Sequence, residues 1–484
     1  MLGKSFYRIS LLLLLLTLAS GKITNAEIAL PEMGDSAGAL VSPIEEYRVG
    51  QSFFWQMQQA VDLVEDPEIN SYITSLGFRL AHNSDDPGRP FKFFMVPDSS
   101  INAFAAPGGF IGIHSGLMLA AEREDELASV VAHEIAHVTQ RHLLRRYERQ
   151  QQMSMPLTAA MLAAALLGAY DPNIGSAAIM AVQGGAIQLQ LDYSRAHEAE
   201  ADNLGMQMLV RSGFDPHAMP AFFEKLQFAG RFYGGSTVPE FLRTHPVTTA
   251  RIADARGRAA HLQKVPTFRD ELQFYLMREK LRVLTTSNLN ELIQQYQHTL
   301  DTTDGDVTPT QYGFAMALLA QGDTGRAREM LKPLLDADDD RLTYHLAMAD
   351  IEMAVGRPNA ALAIYEDNQS LYPDHYALSI QHVRALLQTR QPGKAVNILQ
   401  RQLEMGSPSR VIYRLLAQAH GDMGQGSASH SALAEYYYSS GQLHAAVDQL
   451  RLAAEQARGD EFQLSRLTAR IRSIETEIAL MERR

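Results

Sequence analysis

The 484-residue chain contains no cysteine, although its composition is otherwise ordinary for a globular protein, with 46% hydrophobic and 20% charged residues. Without cysteine it can form no disulfide and carry no lipid on a thiol, so its stability must come from packing. The absence also suits an envelope compartment, where stray thiols would be oxidised. The length is sufficient for two or three domains with cores of their own.

Beyond its N-terminus the chain also lacks an apolar run of the roughly 20 residues that a membrane-spanning helix needs. At the N-terminus, Lys4 and Arg8 precede an apolar stretch from Ile9 to Ala19, and small residues follow up to Ala26. This pattern predicts a cleavable secretory signal over residues 1–26, with an uncleaved membrane anchor as the alternative. We therefore expect the protein in the periplasm of a Gram-negative bacterium.

Basic residues are fewer than acidic ones, and the imbalance grows when the predicted signal is removed. The remaining chain has 40 Lys and Arg against 55 Asp and Glu, a formal charge of −15. Because nucleic-acid backbones are polyanions, we expect no nucleic-acid partner.

Charge is scarce over residues 155–190, which are rich in Ala, Leu, Met and Gly. The first apolar half of this segment, Leu157 to Ala169, has only thirteen residues and is too short for a membrane span. We predict a helical hairpin that packs on the protein or lines a substrate cleft. A peripheral contact with a membrane surface is the alternative.

The five residues from His133 to His137 have the sequence His-Glu-Ile-Ala-His. On a helix the two histidines share one face and form a metal-binding pair. Zinc bound there would lower the pKa of a water molecule to roughly 7, and Glu134 would be its general base. The segment predicts one long helix, because acids between Glu122 and Glu126 and bases between Arg141 and Arg149 offset the helix macrodipole.

A hydrolytic zinc site needs a third protein ligand on an element that faces the motif helix. Glu198 is the candidate, in a second helix predicted from Ser194 to Ser212. Asp202 lies one turn later on the same face and is expected to accept the outer N–H of a ligand imidazole. We therefore assign Asp202 to the catalytic set together with Glu134.

Two other polar residues near these ligands are given no role. His142 follows His137 by five positions, so helical spacing turns it away from the metal face and predicts a surface position. Glu200 is expected to point away from the metal, because it does not share the face of Glu198 and Asp202.

Strand patterns are short and lie before the motif. Residues 42–84 have the apolar spacing of helices. The runs from Phe91 to Val96 and from Phe110 to Ile113 are aromatic and β-branched and are bounded by Pro and Gly. They predict two strands of a small sheet.

The last 200 or so residues have a helical pattern with a period of 34 residues. The interval separates small residues that recur at Ala327, Ala361 and Ala395 and at Gly322 and Gly356. Arg390 replaces the glycine of the third copy, and the phase slips after Gly424. The period predicts tetratricopeptide repeats, with an unrelated helical bundle as the alternative.

The two metal-binding helices resemble those of the HtpX and CAAX-prenyl-protease clan of zinc metallopeptidases. The clan's pattern is His-Glu-x-x-His followed by Ser-Arg-x-x-Glu-x-x-Ala-Asp, and every fixed position is present, the second part from Ser194 to Asp202. The resemblance implies an α+β zincin-like metalloprotease domain, mostly helical with a small sheet. It also implies one Zn²⁺ ion per chain, held by His133, His137 and Glu198.

A stretch ahead of the motif resembles the same clan, in which it supplies an edge strand beside the metal. An edge strand binds an extended peptide through main-chain hydrogen bonds, so we expect unfolded or strand-like substrates. The residues assigned to this substrate strand are Asn102, Phe104, Gly108, Gly109, Ile111 and Ile113.

A loop histidine can approach the zinc in such relatives, and Thr244-His245-Pro246 matches that segment. His245 is therefore expected to act in one of two ways. It is either a fourth, regulatory ligand that blocks the water or a donor that stabilises the oxyanion.

With a signal in front and an all-α tetratricopeptide solenoid behind, the whole chain resembles periplasmic members of that clan. The expected domains are a signal over residues 1–26, a metallopeptidase over 27–265 and a repeat domain over 266–484. The resemblance implies an endopeptidase with chaperone-like activity that promotes assembly of outer-membrane β-barrel proteins or degrades misassembled ones, and whose repeats contact the assembly machinery. The alternatives are mainly a repeat scaffold with occasional proteolysis and, less favoured because no mature segment is apolar enough, a membrane-embedded prenyl-type protease.

Overall fold

The structure is a computed structural model that describes residues 41–150, 180, 194–232, 240–262, 270–406 and 408–482. The predicted signal and nearly all of the apolar segment 155–190 lie outside the described residues, as does the predicted domain boundary at residue 265. Among the described residues, no helix combines the length and apolarity needed to cross a membrane.

From residue 41 onward, two helices precede the sheet, and each begins after a residue whose side chain caps it. Helix α1 spans Pro43–Ala60 and starts with a capping box, in which Ser42 and Glu45 accept each other's backbone N–H groups. Helix α2 spans Pro67–His82, and the Asp66 carboxylate accepts hydrogen bonds from the backbone N–H groups of Glu68 and Ile69 in its first turn. The helical prediction for residues 42–84 is confirmed, with a break between the two helices.

A three-stranded sheet follows, made of β1 (Lys92–Val96), β2 (Ala103–Ala106) and β3 (Phe110–His114). Its order is β1-β3-β2, with β3 parallel to β1 and antiparallel to β2. The two predicted strands, now β1 and β3, are confirmed. Strand β2 is therefore an edge strand.

The assignment of Ile111 and Ile113 to the edge strand is wrong, because both lie in β3, the central strand, and are fully buried. A short 3₁₀ turn, Pro107–Gly109, reverses the chain between β2 and β3. Gly109 has a φ of 87°, and a Cβ there would lie 2.0 Å from the carbonyl oxygen of Pro90. The turn glycines are thus explained by local packing, and Phe104 is the one predicted substrate-strand residue inside β2.

Besides residue 180, which is helical, the described residues of the peptidase part contain seven further helices, and the motif helix is shorter than predicted. It ends at Thr139, because Arg141 adopts a left-handed φ of 53° and a new helix starts after it. The bounds are α3 Ser115–Ala120, α4 Glu124–Thr139, α5 residues 142–150, α6 residues 194–211, α7 Ala218–Phe232, α8 Glu240–Thr244 and α9 Thr249–His261.

All described elements after residue 270 are helices, as the period of 34 residues predicts. Their bounds are α10 Glu271–Thr285, α11 Leu289–Thr302, α12 Thr308–Gln321, α13 Thr324–Ala337, α14 Leu342–Ala354, α15 Pro358–Leu371, α16 Tyr376–Gln388, α17 Pro392–Glu404, α18 Arg410–Asp422, α19 Gly426–Ser439, α20 Leu443–Gln456 and α21 Glu461–Glu482.

Turns between paired helices repeat one backbone conformation at the predicted interval. Gly322, Gly356 and Gly424 have φ values of 91°, 80° and 71°, and Arg390 takes the same left-handed conformation at 58°. Arginine therefore adopts the turn geometry that glycine provides elsewhere, which shows that the third copy keeps the repeat register. The tetratricopeptide solenoid is confirmed.

Repeat helices share a hydrophobic core with the peptidase helices. One cluster runs from Ile69 in α2 to Tyr344 in α14, and a second joins Trp55 of α1 to Leu450 of α20. The N-terminus of α2 adds a buried ion pair, because Lys280 of α10 contacts Glu68 and lies 3.0 Å from Asp66. The described residues from Val41 onward accordingly form one compact unit.

Exchanging residues between equivalent turns tests the repeat register. Arg390→Gly is expected to stabilise the protein by about 0.5–1 kcal/mol. Removing the side chain relieves a left-handed conformation that costs roughly 1–2 kcal/mol, but the greater backbone entropy that glycine loses on folding offsets part of this gain. Gly356→Arg is expected to destabilise it by a similar amount, since nothing lies within 4 Å of the added Cβ and only the backbone is strained. Urea unfolding measures both changes, and a loss of stability in Arg390→Gly would contradict the assignment.

Candidate metal centre

Helices α4 and α6 bring the three predicted ligands together. The Nε2 atoms of His133 and His137 are 2.9 Å apart. Glu198 places one carboxylate oxygen 3.4 Å from His133 Nε2 and the other 3.5 Å from His137 Nε2. The spacing of four residues in α4 puts both imidazoles on one face, and α6 crosses that face with Glu198.

These donors fit a metal ion in both spacing and chemistry. Zinc–nitrogen bonds of about 2.0–2.1 Å around a tetrahedral centre separate neighbouring ligand atoms by about 3.3 Å, close to the distances between these side chains. Imidazole and carboxylate donors are also those that zinc accepts. Burial, followed by the effect of neighbouring His133, holds the pKa of His137 well below its usual value, so the ring is neutral and can donate a lone pair.

His245 supplies a fourth donor to the same point. Its Nδ1 lies 3.0 Å from Glu198 Oε1 and 3.4 Å from His133 Nε2, and the four candidate ligand atoms all fall within 4.8 Å of one another. The residue directly follows α8, and its ring stacks on Phe241 at 4.8 Å. His245 therefore stands where an open catalytic site would keep a water molecule.

Glu134 lies beside the donors and is 1% exposed. Burial raises the pKa of its carboxyl above the usual value, and the backbone N–H of Ala105 hydrogen-bonds to the carboxylate. One carboxylate oxygen lies 3.5 Å from Nε2 of His245. Since Ala105 belongs to β2, the edge strand borders the candidate general base, as the family resemblance implies.

Asp202 occupies the predicted position behind His133, with 3.0 Å between its carboxylate and the outer Nδ1. Burial opposes its ionisation, but hydrogen bonds from Arg251 and His133 hold the pKa of Asp202 below the usual value. An ionised Asp202 can only accept a hydrogen bond, so it directs the other ring nitrogen of His133 towards the metal position.

Arg251, in α9, was missed by sequence reasoning. Its guanidinium lies 2.6 Å from Asp202 and 2.9 Å from Glu198, and it also donates to the Pro246 carbonyl oxygen at 3.2 Å. No spacing rule joins it to these residues, since the contacts span 49 and 53 positions of sequence. Its position five residues after Pro246 of the His245 loop is the one signal in the sequence that could have drawn attention to it.

His142 is not at the surface, which corrects the sequence prediction. It is 4% exposed, and its Nδ1 lies 2.8 Å from Nδ1 of His137, the nitrogen facing away from the donors. Glu200, which was given no role, contacts its Nε2 at 3.0 Å. The prediction failed because it continued one helix through Arg141, whose left-handed backbone turns the chain back towards the metal position.

Comparison with known proteins agrees with this geometry. Residues 67–259 match the model of peptidase family M48. Over 446 residues, 91% of this chain and 90% of the relative, the sequence is 36% identical to the β-barrel assembly-enhancing protease of Escherichia coli strain K12. The chain is a metallopeptidase of family M48. It has the same identity, over 450 residues, to the protein of that name from Yersinia pestis, covering 92% of this chain and 91% of the relative.

A further relative matches a smaller share of the chain. The mitochondrial metalloendopeptidase OMA1 of Arabidopsis thaliana is 30% identical over 159 residues, which are 33% of this chain and 30% of the relative. A metal therefore belongs to the site of this M48 peptidase, and the four donors are its candidate ligands.

Replacing Arg251 with lysine is expected to weaken zinc binding 10- to 100-fold. A lysine ammonium keeps the charge but cannot pair with Asp202 and Glu198 in the planar geometry of a guanidinium. Loss of a residue that orients a metal ligand typically lowers metal affinity by about 10- to 100-fold. Competition with a chromophoric chelator measures the affinity. Arg258→Lys, an exposed change in the same helix α9, is the control and should leave it unchanged; equal affinities in both variants would contradict the role of Arg251.

Proposed function

We propose that this M48 peptidase is a zinc endopeptidase of the bacterial periplasm that acts on outer-membrane β-barrel proteins during assembly. The observation that carries the proposal is the meeting of His133, His137 and Glu198 beside a buried Glu134, which borders the edge strand β2. The function in barrel assembly is supported by the name of its full-length relatives, since this chain covers at least 90% of each in the two comparisons above.

The chain's own residues have defined tasks in peptide hydrolysis. Zinc bound by the ligands supplies Lewis acidity that activates water and polarises the substrate carbonyl. Glu134 takes the proton of the attacking water and transfers it to the leaving amine, and its raised pKa suits both steps. Asp202 keeps His133 in the orientation that leaves Nε2 free.

Substrate selection follows from the position of the edge strand. A peptide added to β2 would bond to its main chain, which requires an extended segment but reads little of its sequence. Folded barrels have no free strand, whereas unassembled ones expose many. We therefore infer that stalled or misassembled chains are cleaved, and that assembled ones are spared.

Glu134→Gln is expected to keep bound zinc and to lose cleavage of an unfolded barrel protein by 10²- to 10⁴-fold, the usual contribution of general acid–base catalysis. Glutamine retains the volume of the side chain but cannot take a proton. Cleavage is followed by electrophoresis, and zinc by elemental analysis of the same sample. Undiminished cleavage with zinc still bound would reject the assignment of Glu134.

The position of His245 favours its role as a regulatory fourth ligand over its role as an oxyanion donor. Its Nδ1 completes a four-donor set, and its Nε2 faces Glu134. A structural zinc site is closed by four protein ligands, whereas a catalytic one keeps a position for water. We infer that the resting peptidase is self-inhibited and becomes active when His245 leaves.

His245→Ala is expected to raise cleavage of unfolded substrate and of the protein itself several-fold, because it opens the fourth position. Initial rates at matched zinc occupancy measure the effect. His261→Ala, at the exposed end of α9, is the control and should change neither rate. A collapse of activity in His245→Ala, with zinc retained, would instead assign His245 to oxyanion stabilisation.

A chaperone or scaffold remains the second candidate function, and the closed donor set is the observation that favours it. A self-inhibited peptidase can keep a substrate bound to its repeats without cleaving it. The Glu134→Gln variant separates the two functions in cells. Restored barrel assembly by this variant supports the chaperone function, and failure to restore it makes proteolysis the main activity.

A further inference from the structure

His142 and Glu200 form a connected pair behind the metal ligand His137. We propose that they are positioning residues, which hold His137 in the orientation and tautomer that metal binding requires. The inference deepens the proposed function and rests on its metal site. Neither residue belongs to the donor set itself.

The contacts are close and mostly buried. The rings of His137 and His142 meet edge to face, with centroids 4.8 Å apart, and their Nδ1 atoms are 2.8 Å apart. On its far side His142 places Nε2 3.0 Å from Oε2 of Glu200. The outer face of the pair is half-open, since the Glu200 side chain is 39% exposed and Arg145 lies 3.5 Å from its carboxylate.

Hydrogen positions follow from this chain of contacts. An ionised Glu200 only accepts, so His142 must carry its hydrogen on Nε2. The Nδ1 of a neutral His142 is then a lone-pair acceptor, and the atom that faces it, Nδ1 of His137, must donate. His137 consequently has its free lone pair on Nε2, the nitrogen that lies 2.9 Å from Nε2 of His133 among the ligand atoms.

The arrangement parallels the one behind the other histidine ligand. There the Asp202 carboxylate lies 3.0 Å from Nδ1 of His133, and Arg251 pairs with Asp202. Behind His137 a histidine is interposed, so the carboxylate acts through one more ring. In both imidazoles a carboxylate thus fixes the hydrogen on Nδ1 and leaves Nε2 for the metal. Asp202 does so directly, whereas Glu200 does so through the ring of His142.

Contacts with two other parts of the chain hold His142 in this place. Its ring stacks on His197 of α6, with centroids 4.2 Å apart and planes 10° from parallel. The left-handed turn at Arg141 is itself anchored, because that guanidinium lies 3.2 Å from Glu46 and donates to the Val41 carbonyl oxygen at 2.7 Å. A residue at position 142 of an uninterrupted helix could not make these contacts.

Two substitutions at one position separate hydrogen bonding from packing. His142→Phe keeps a flat ring against His197 but provides no acceptor, whereas His142→Gln provides an acceptor and a donor but loses the ring. If His142 positions His137, zinc affinity falls 10- to 100-fold in His142→Phe and recovers at least in part in His142→Gln. If His142 serves packing alone, the order of the two variants is reversed.

The measurement is zinc affinity by chelator competition in the full chain, with Glu134→Gln present in every sample to prevent self-cleavage. The visible spectrum of the cobalt-substituted protein provides a second readout, and a change of ligand geometry is expected in His142→Phe alone. Wild-type affinity and an unchanged spectrum in His142→Phe would overturn the inference. If the parent protein itself binds no zinc, the proposed function fails as well, so the two failures are distinguishable.

Glu200 allows the same comparison if His142→Phe does not fold. Glu200→Leu removes the acceptor for His142 at a half-exposed position, whereas Glu200→Gln keeps an acceptor oxygen. We expect Glu200→Leu to weaken zinc binding several-fold and Glu200→Gln to stay within about twofold of the parent, with the exposed change Arg258→Gln in α9 as the control. Equal affinity of the leucine and glutamine variants would overturn the role of Glu200.

Discussion

The bridge that Arg251 makes between Glu198 and Asp202 is the constraint on which the site depends. Two ionised carboxylates one helical turn apart repel each other, and burial between α4 and α6 strengthens the repulsion. The guanidinium of Arg251 is 8% exposed and pairs with both, so both can remain ionised. One of them can then bind a metal while the other orients His133. The same guanidinium donates to Pro246, which places the His245 loop over the site.

Burial makes these polar contacts necessary. Helix α4 is enclosed on nearly all sides, and His133 and Glu134 are each 1% exposed. A polar group in such surroundings costs free energy unless it is paired, so each ring nitrogen needs a partner. The Asp202 carboxylate lies beside Nδ1 of His133, and Nδ1 of His142 lies beside Nδ1 of His137. The surrounding apolar core therefore fixes the orientation of the two imidazoles. On a solvent-exposed helix water could satisfy their nitrogens, and the rings could rotate.

The sequence predicts the parts of the site whose geometry is local. The two motif histidines share a face because they lie four residues apart in one helix, and Asp202 follows Glu198 by the same rule. The prediction for His142 failed at one residue, Arg141, whose backbone ends that periodicity. Arg251 could not be found because its contacts join separate helices, which periodicity does not relate. In the repeats the reverse holds, since the period places Arg390 in a glycine conformation that its own residue type disfavours.

Several contacts hold His245 over the site, among them those with Phe241 and Glu198, and a substrate that releases it must offset their loss. The segment that carries it is bonded to the start of the edge strand, where the Phe241 N–H donates to Ile101 O at 3.2 Å and the Ser100 hydroxyl contacts Glu240 at 3.4 Å. Net contributions of such hydrogen bonds are about 0.5–1.5 kcal/mol each. A peptide that adds to β2 forms several main-chain bonds next to these same residues. A ligand shifts an equilibrium only by its differential affinity for the two states, so the proposed release of His245 requires that a bound peptide favour the open state.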